Sequence, residues 1–309
     1  MKKNLILMAA LLLCITASAQ NTIVPIHADV NGDGAVDVAD IGTVISTMTG
    51  SLEIPRSKAD VNGDGAVDVA DIATVIDIMA AGGVYADRTP EGVEAIDLGL
   101  PSGTMWANMN VGATKPEDYG LYFAWAETEG YTSDPEIDRV FTWETYKWMI
   151  KGGTSEYGIS KYQMEDNNAQ GCWFDKDGFF IGDGELDLAL EDDAVYVHWG
   201  GHWQFPTVRE IRELINYTTF QWVQQEGVYG QVLTSTINGN SIFLPAAGLR
   251  NDEWLLGEEL GGIYWTKTIL STPRIRALCF YSDEVIVKHN ARYNGITIRP
   301  VIKKSDYIH

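Results

Sequence analysis

Fourteen residues of this chain occur twice. Ala28 to Ile41 reads ADVNGDGAVDVADI, and Ala59 to Ile72 reads the same, offset by 31 positions. A repeat of this fidelity requires two equivalent structural units, and its composition says what each unit holds. Oxygen-bearing side chains fall at positions 1, 3, 5, 9 and 12 of a twelve-residue loop. In the first copy these are Asp29, Asn31, Asp33, Asp37 and Asp40, and in the second Asp60, Asn62, Asp64, Asp68 and Asp71. Gly34 and Gly65 stand at position 6, where a chain wrapping an ion turns sharply, and Ala35 and Ala66 at position 7 offer a main-chain carbonyl. A hard divalent cation that takes about six to eight oxygens fits this spacing. Two loops therefore predict two calcium ions.

Each loop runs into an amphipathic helix. Ile41, Val44, Ile45 and Met48 recur at i, i+3, i+4 and i+7, as do Ile72, Val75, Ile76 and Met79, which gives each copy one apolar stripe. Gly50 and the Gly82-Gly83 pair end the helices. Little chain precedes either loop, so each copy is expected to be a loop followed by a helix, the two packing stripe to stripe. The loops match the EF-hand pattern with Asp in place of Glu at position 12, and the shorter side chain must draw its helix closer to the ion. As a whole, residues 24–82 resemble a type I dockerin. That resemblance implies a small all-α module, two bound calcium ions and non-covalent docking into a cohesin-type module of a scaffold or surface protein. It also implies that positions 10 and 11, Val38-Ala39 and Val69-Ala70, help to choose the cohesin; the same pair twice would let either face engage.

The N-terminus predicts export. Lys2 and Lys3 precede an apolar run from Leu5 to Ile15 and a small-x-small site at Ala17-Ser18-Ala19, so residues 1–19 read as a signal peptide. The destination is extracellular, cell-surface or periplasmic, and no later stretch is long and apolar enough for a transmembrane anchor. With 22 Lys+Arg against 43 Asp+Glu and a formal charge of −21, nucleic acid and anionic lipid are disfavoured as partners. Cations, basic proteins and neutral glycans stay open. Cys14 leaves with the signal; Cys172 and Cys279 either pair or stand as separate thiols.

Composition changes abruptly after the repeats. Of the 10 Trp, 14 Tyr and 9 Phe, only Tyr85 lies before residue 106. Residues 20–83 are therefore the calcium-binding module, 84–94 a linker rich in Gly, Pro and charge, 95–303 one domain, and 304–309 a tail. Within the domain Thr207 and Glu210 form a capping box before an apolar stripe at Val208, Ile211, Leu214 and Ile215. A weaker helix is expected over Glu191 to Val197. Short strands are expected at Leu121 to Trp125, Ser241 to Leu244, Ile263 to Thr268, Ala277 to Tyr281, Glu284 to Val287 and Thr297 to Val301. The class is α+β with much irregular structure.

Several phrases of this domain occur in a familiar order: IDLGLPSGTMWANMNVGA from Ile96, PEDYGLYFAWAET from Pro116, WGGHWQFPT from Trp199, NSIFLPAAGLR from Asn240, GGIYW from Gly261 and RYNGITIRPV from Arg292. Together they resemble the Fibrobacter succinogenes major paralogous (FISUMP) domain. The resemblance implies a C-type-lectin-like fold, akin to sulfatase-modifying factors and to variable receptor proteins. Ala126, Gln204 and Thr266-Lys267 depart from the expected pattern at surface scale. In the related variable proteins the ligand face lies toward the C-terminal end, which here singles out Tyr281, Asp283, His289, Asn290, Arg292, Tyr293 and Asn294, a paratope-like mix of aromatic and adaptable polar groups. Ordinary hairpin edges would look much the same.

Catalytic signals are sparse. His198 and His202 have zinc-like spacing, but Gly200-Gly201 between them argues against a helix and no Glu follows the first His. Glu191-Asp192-Asp193, Asp252-Glu253 and Glu258-Glu259 are carboxylate pairs whose separation decides whether glycoside hydrolysis is open to them. Neither Cys172 nor Cys279 sits in a sulfatase-modifying motif, and the Glu-Pro-Asn and Gln-Pro-Asp loops of calcium-dependent lectins are missing. The expectation is a non-catalytic exported binder of a glycan or protein ligand. The alternatives are a component of polysaccharide degradation with glycosyl hydrolase activity, and a purely structural surface protein.

Overall fold

The computed structural model describes residues 28–31, 36–52, 54–62, 65–80, 87–134, 136, 139–165 and 171–307. The expected signal peptide lies outside them. Strands dominate the described elements, eleven against five α-helices.

Between residues 28 and 80 the described elements are three helices: α1 (Val38–Met48), α2 (Arg56–Ala59) and α3 (Val69–Ala80). Asp37 caps α1 by accepting from Ala39 N at 2.7 Å, while the Asp40 side chain reaches back to Asp37 N at 2.9 Å, a reciprocal capping box. The core of this unit is Ala28, Val30, Val44, Ala59, Val61, Val75 and Ile78. Val44 and Val75 are fully buried and Ile41, Ile72 and Met79 half-buried, as the stripes predict. Ile45, Ile76 and Met48 are not, at 46, 48 and 40% exposure. Stripe-to-stripe packing needs this correction because Val30 and Val61, at loop position 2, fill the core beside the helices. Also unforeseen is the single turn of α2, which seats Ala59 in the core at the entrance of the second loop.

From residue 95 the elements are β1 (Ala95–Ile96), β2 (Thr104–Ala107), α4 (Ala194–Trp199), α5 (Val208–Tyr217), β3 (Thr218–Gln225), β4 (Val228–Ser235), β5 (Ser241–Pro245), β6 (Leu249–Asn251), β7 (Trp254–Leu256), β8 (Gly262–Ser271), β9 (Arg274–Phe280), β10 (Val285–Ala291) and β11 (Val301–Lys303). They form antiparallel sheets in the orders β1-β2-β11, β3-β4-β5, β6-β7 and β10-β9-β8. The capping box at Thr207 and Glu210 opens α5 as expected. Four predicted strands, at 241, 263, 277 and 284, correspond to β5, β8, β9 and β10.

Two predicted strands do not form. In 121–125 four N–H groups take four different partners: Leu121 bonds Val111, Tyr122 bonds Tyr131, Phe123 bonds Ile296 and Trp125 bonds Arg292. No single neighbour supplies a ladder, so only isolated bridges remain. Residue 297 likewise makes one bridge, to Tyr264, and β11 starts only at Val301. The β3–β4 hairpin was not anticipated. Its turn, Glu226-Gly227, has φ of 47° and 87°, as a two-residue turn between twisted strands requires.

Two clusters make the core of this part. One gathers Trp125, Trp199, Trp203 and Trp265, the other Trp106, Leu214, Leu244 and Phe280. The segment expected as a linker is attached from residue 87 on: Arg88 N donates to Trp199 O at 2.7 Å, and Trp203 Nε1 to Thr89 Oγ1 at 2.8 Å. Beyond residue 303 Tyr307 lies edge-on to Trp203, centroids 6.3 Å apart. Cys172 and Cys279 are separate thiols, and burial pushes that of Cys279 up to about 12. Among the described residues no helix is long and apolar enough to cross a membrane.

Candidate functional site

The described parts of the two loops are tied to their last aspartate. Asp40, fully buried, accepts through Oδ1 from Val30 N at 2.7 Å and Asn31 N at 3.1 Å, and through Oδ2 from Asp37 N at 2.9 Å. Asp71, equally buried, accepts from Val61 N at 2.7 Å, Asn62 N at 3.1 Å and Asp68 N at 2.8 Å. Position 12 thus ties loop positions 2, 3 and 9 to the first turn of the following helix. Three of the roughly four lone-pair sites of each carboxylate are used this way.

Position 1 behaves differently. In the second loop Asp60 Oδ2 accepts from Gly65 N at 2.9 Å, while Asp60 Oδ1 is buried with no hydrogen-bond partner. A carboxylate oxygen removed from water and left unpaired is costly unless a cation faces it. The donor set is all oxygen, the chemistry calcium selects. These residues fit the ion. Asp29 and Asp60 are half-buried, Asn31 and Ala66 exposed, and Asn62 half-buried. Asp37 and Asp68, at position 9, are exposed helix caps accepting from Ala39 N and Ala70 N, each at 2.7 Å. Asp33, Ala35 and Asp64 lie outside the described residues. Among the described residues no three His, Cys, Asp or Glu side chains converge.

The predicted partner residues are accessible and matched. Val38 and Val69 are 72 and 70% exposed, and one heptad further on Ile45 and Ile76 continue each exposed face. Ala39 is exposed and Ala70 half-buried.

The predicted ligand stretch divides. Tyr281, with Lys288 Nζ 4.9 Å from its ring centroid, and Asp283 sit at the β9–β10 turn and are exposed, as is His289 on β10. Asn290 and Tyr293 are half-buried at the far end, roughly 20 Å away along an extended strand. Arg292 and Asn294 are buried and need correction as ligand contacts. Arg292 donates to the carbonyls of Lys161 at 2.9 Å and Tyr162 at 2.6 Å, with its guanidinium 4.8 Å from the Trp125 ring centroid. Burial lowers its pKa.

Arg292 is one of three such groups. Arg250 donates to Thr132 O at 2.9 Å and to Asp134 O; Arg299 donates to Asn110 Oδ1 at 2.7 Å and to Ala107 O and Asn108 O at 3.1 Å. All three are at most 1% exposed. Sequence reasoning missed Arg250 and Arg299 and read Arg292 as a ligand contact, because a buried arginine without an acidic partner leaves no pattern in the chain.

The carboxylate pairs are engaged structurally or exposed. Asp192 meets Lys161 Nζ at 2.8 Å, Lys147 Nζ at 3.4 Å and the Tyr162 hydroxyl at 2.7 Å. Asp193 caps α4, accepting from Tyr196 N at 3.0 Å, and burial pushes its carboxyl up to about 6. Asp252, Glu253, Glu258 and Glu259 are exposed. His198 Nε2 bonds Thr128 O at 2.8 Å, and Gly200-Gly201, both at positive φ, end α4 before His202.

No curated protein and no solved structure shows a significant match to the chain. Residues 27–80, which include both loops and their helices, match the family model of the dockerin type I domain. Dockerin type I domains bind calcium, and a cohesin-type module is the partner they imply.

Proposed function

We propose that this is an exported, non-catalytic extracellular or cell-surface protein. It attaches to a cohesin-type module through an all-α dockerin module holding two calcium ions, and displays a C-type-lectin-like domain of the FISUMP kind to a glycan or protein ligand. The observation that carries the attachment is the repeated geometry at Asp40 and Asp71, with the orphaned Asp60 Oδ1 beside it. Bound calcium supplies a divalent charge that the loop oxygens share. The chain does the rest: Asp40 and Asp71 fix the start of each loop against its helix, Asp37 and Asp68 cap the helices, and Val38, Ala39, Val69 and Ala70 stand on the first turns. The non-catalytic reading is supported by Asp192 and Asp193, the most buried of the paired carboxylates, whose oxygens are already held by lysines, a tyrosine and backbone N–H groups.

The full chain is tested against immobilised cohesin modules, with calcium and with a chelator. Capture in calcium and release on chelation are expected. Absence of capture by every cohesin in calcium overturns the attachment, and release of reducing sugar from a polysaccharide overturns the non-catalytic assignment.

A further inference from the structure

Six of the ten tryptophans are at most 2% exposed, but Trp254 is 65% exposed. It sits on β7 beside a turn whose Asp252 has φ of 56°, a strained conformation for a non-glycine residue. That turn is pinned by paired bonds with Phe141, Asp252 N to Phe141 O and the reverse, each 2.9 Å. A large ring is thus held in water by a rigid mount, where it contributes nothing to the core.

The ring has polar company. Asn251 pairs with Trp254 across the hairpin, so the two side chains share a face about 5 Å apart. Asn251 Nδ2 donates to the Tyr293 hydroxyl at 3.1 Å and to Asn294 Oδ1 at 2.7 Å, and Asn294 Nδ2 donates to Asn290 Oδ1. The amides are therefore oriented in advance. Tyr293 is steadied by Trp143, edge-on at 4.7 Å. The one cation of β6, Arg250, is buried and occupied with main-chain carbonyls, while Asp252 and Glu253 stand exposed at the turn.

From this we infer that the β6–β7 hairpin, with Asn290 and Tyr293, forms a binding site for a neutral oligosaccharide. Its sugar rings would lay a flat C–H face on Trp254, and their hydroxyls would meet Asn251, Asn290 and the Tyr293 hydroxyl. Neutral amides and a phenol supply both donors and acceptors for hydroxyls, and the flanking carboxylates repel uronates and sulfated chains. The site takes up the Tyr293 end of the predicted stretch and leaves Tyr281 aside. It rests on the ligand-binding half of the proposed function and is independent of the attachment half.

The test is titration of the full chain in calcium with cellohexaose, xylohexaose and mannohexaose, and with polygalacturonate as the charged probe. At least one neutral hexasaccharide is expected to bind with a Kd at or below about 1 mM. Trp254→Ala is expected to weaken it roughly tenfold or more, Trp254→Phe to restore part of that loss, and Asn251→Ala to weaken binding less than Trp254→Ala, all with unchanged far-ultraviolet circular dichroism and denaturant midpoint. Failure of every neutral hexasaccharide to bind overturns the inference, as does stronger binding of polygalacturonate. Wild-type affinity in the Trp254→Ala and Asn251→Ala variants also overturns it, placing glycan binding elsewhere and leaving the proposed function standing.

Discussion

The N-terminal loops and the C-terminal domain solve the same problem with opposite charge. Both contain irregular backbone whose polar groups find no ladder. In the loops an anion gathers N–H groups: Asp40 and Asp71 each collect three. In the domain, cations gather carbonyls: Arg250, Arg292 and Arg299 each collect two. An anionic hub leaves negative charge in a small unit and is compatible with a metal ion. A cationic hub repels metal ions and holds its carbonyls without one, although Arg292 Nε and Arg299 Nη2 are buried without a hydrogen-bond partner. One part of the chain should answer to calcium and the other should not.

The aromatic partition makes this contrast measurable, since every tryptophan lies beyond residue 105. Near-ultraviolet dichroism and tryptophan emission therefore report the C-terminal domain. The largest expected effect is from Asp71→Ala, which strips one buried and two part-buried N–H groups of a charged acceptor at up to about 1.5–3 kcal/mol each. The helical signal of α1 and α3 is expected to be lost in a fragment spanning residues 20–94 even with calcium present, with tryptophan signals of the full chain unchanged. A parallel loss in the tryptophan band breaks the comparison.

Next is Arg299→Met, which leaves the carbonyls of Ala107 and Asn108 and the Asn110 amide oxygen without their donor. A loss on the order of 3 kcal/mol is expected in denaturant midpoints followed by tryptophan emission, with the calcium response of residues 20–94 retained. An unchanged midpoint sinks the idea that arginine holds the irregular segments.

The smallest effect concerns Asp193, raised by burial to about 6 from an ordinary 3.8. The folded state holds this proton where the unfolded state has released it. Its contribution is therefore favourable at low pH and is lost as pH rises from about 4 through 6. Relative to Asp193→Asn, the wild type should gain stability as pH falls from 7 towards 4. A flat difference between the two melts across that range counts against the assignment.

The sequence made some of this legible and concealed the rest for physical reasons. The Thr207–Glu210 box was readable because local spacing fixes it: a cap and its acceptor are three residues apart wherever they occur. The same box at Asp37 and Asp40 was overlooked because both residues were read only as metal ligands. Strands with an apolar burial pattern, β5 and β9, were readable too. The β3–β4 hairpin was hidden because only Thr218 of β3 is buried, Phe220 is 44% exposed, and the apolar residues are confined to Phe220, Trp222 and Val223 among polar ones. The 121–125 segment looked like a strand because Tyr122, Phe123 and Trp125 are all buried, but its backbone is shared among four partners. Arg292 looked like a surface contact because composition does not tell whether a guanidinium faces water or carbonyls 130 residues away in sequence.

The arginine hubs have a consequence for how such a domain can change. Arg250, Arg292 and Arg299 grip mostly main-chain carbonyls, which every amino acid carries, so the segments at 132–134, 161–162 and 107–108 are recognised by their path and not by their residues. Substitutions in those segments leave the anchoring bonds in place as long as the path is kept. At Thr132 and Asp134, whose side chains are exposed, the fold thereby separates what holds a loop from what the loop displays, while Ala107 and Tyr162 are tied down by the core as well.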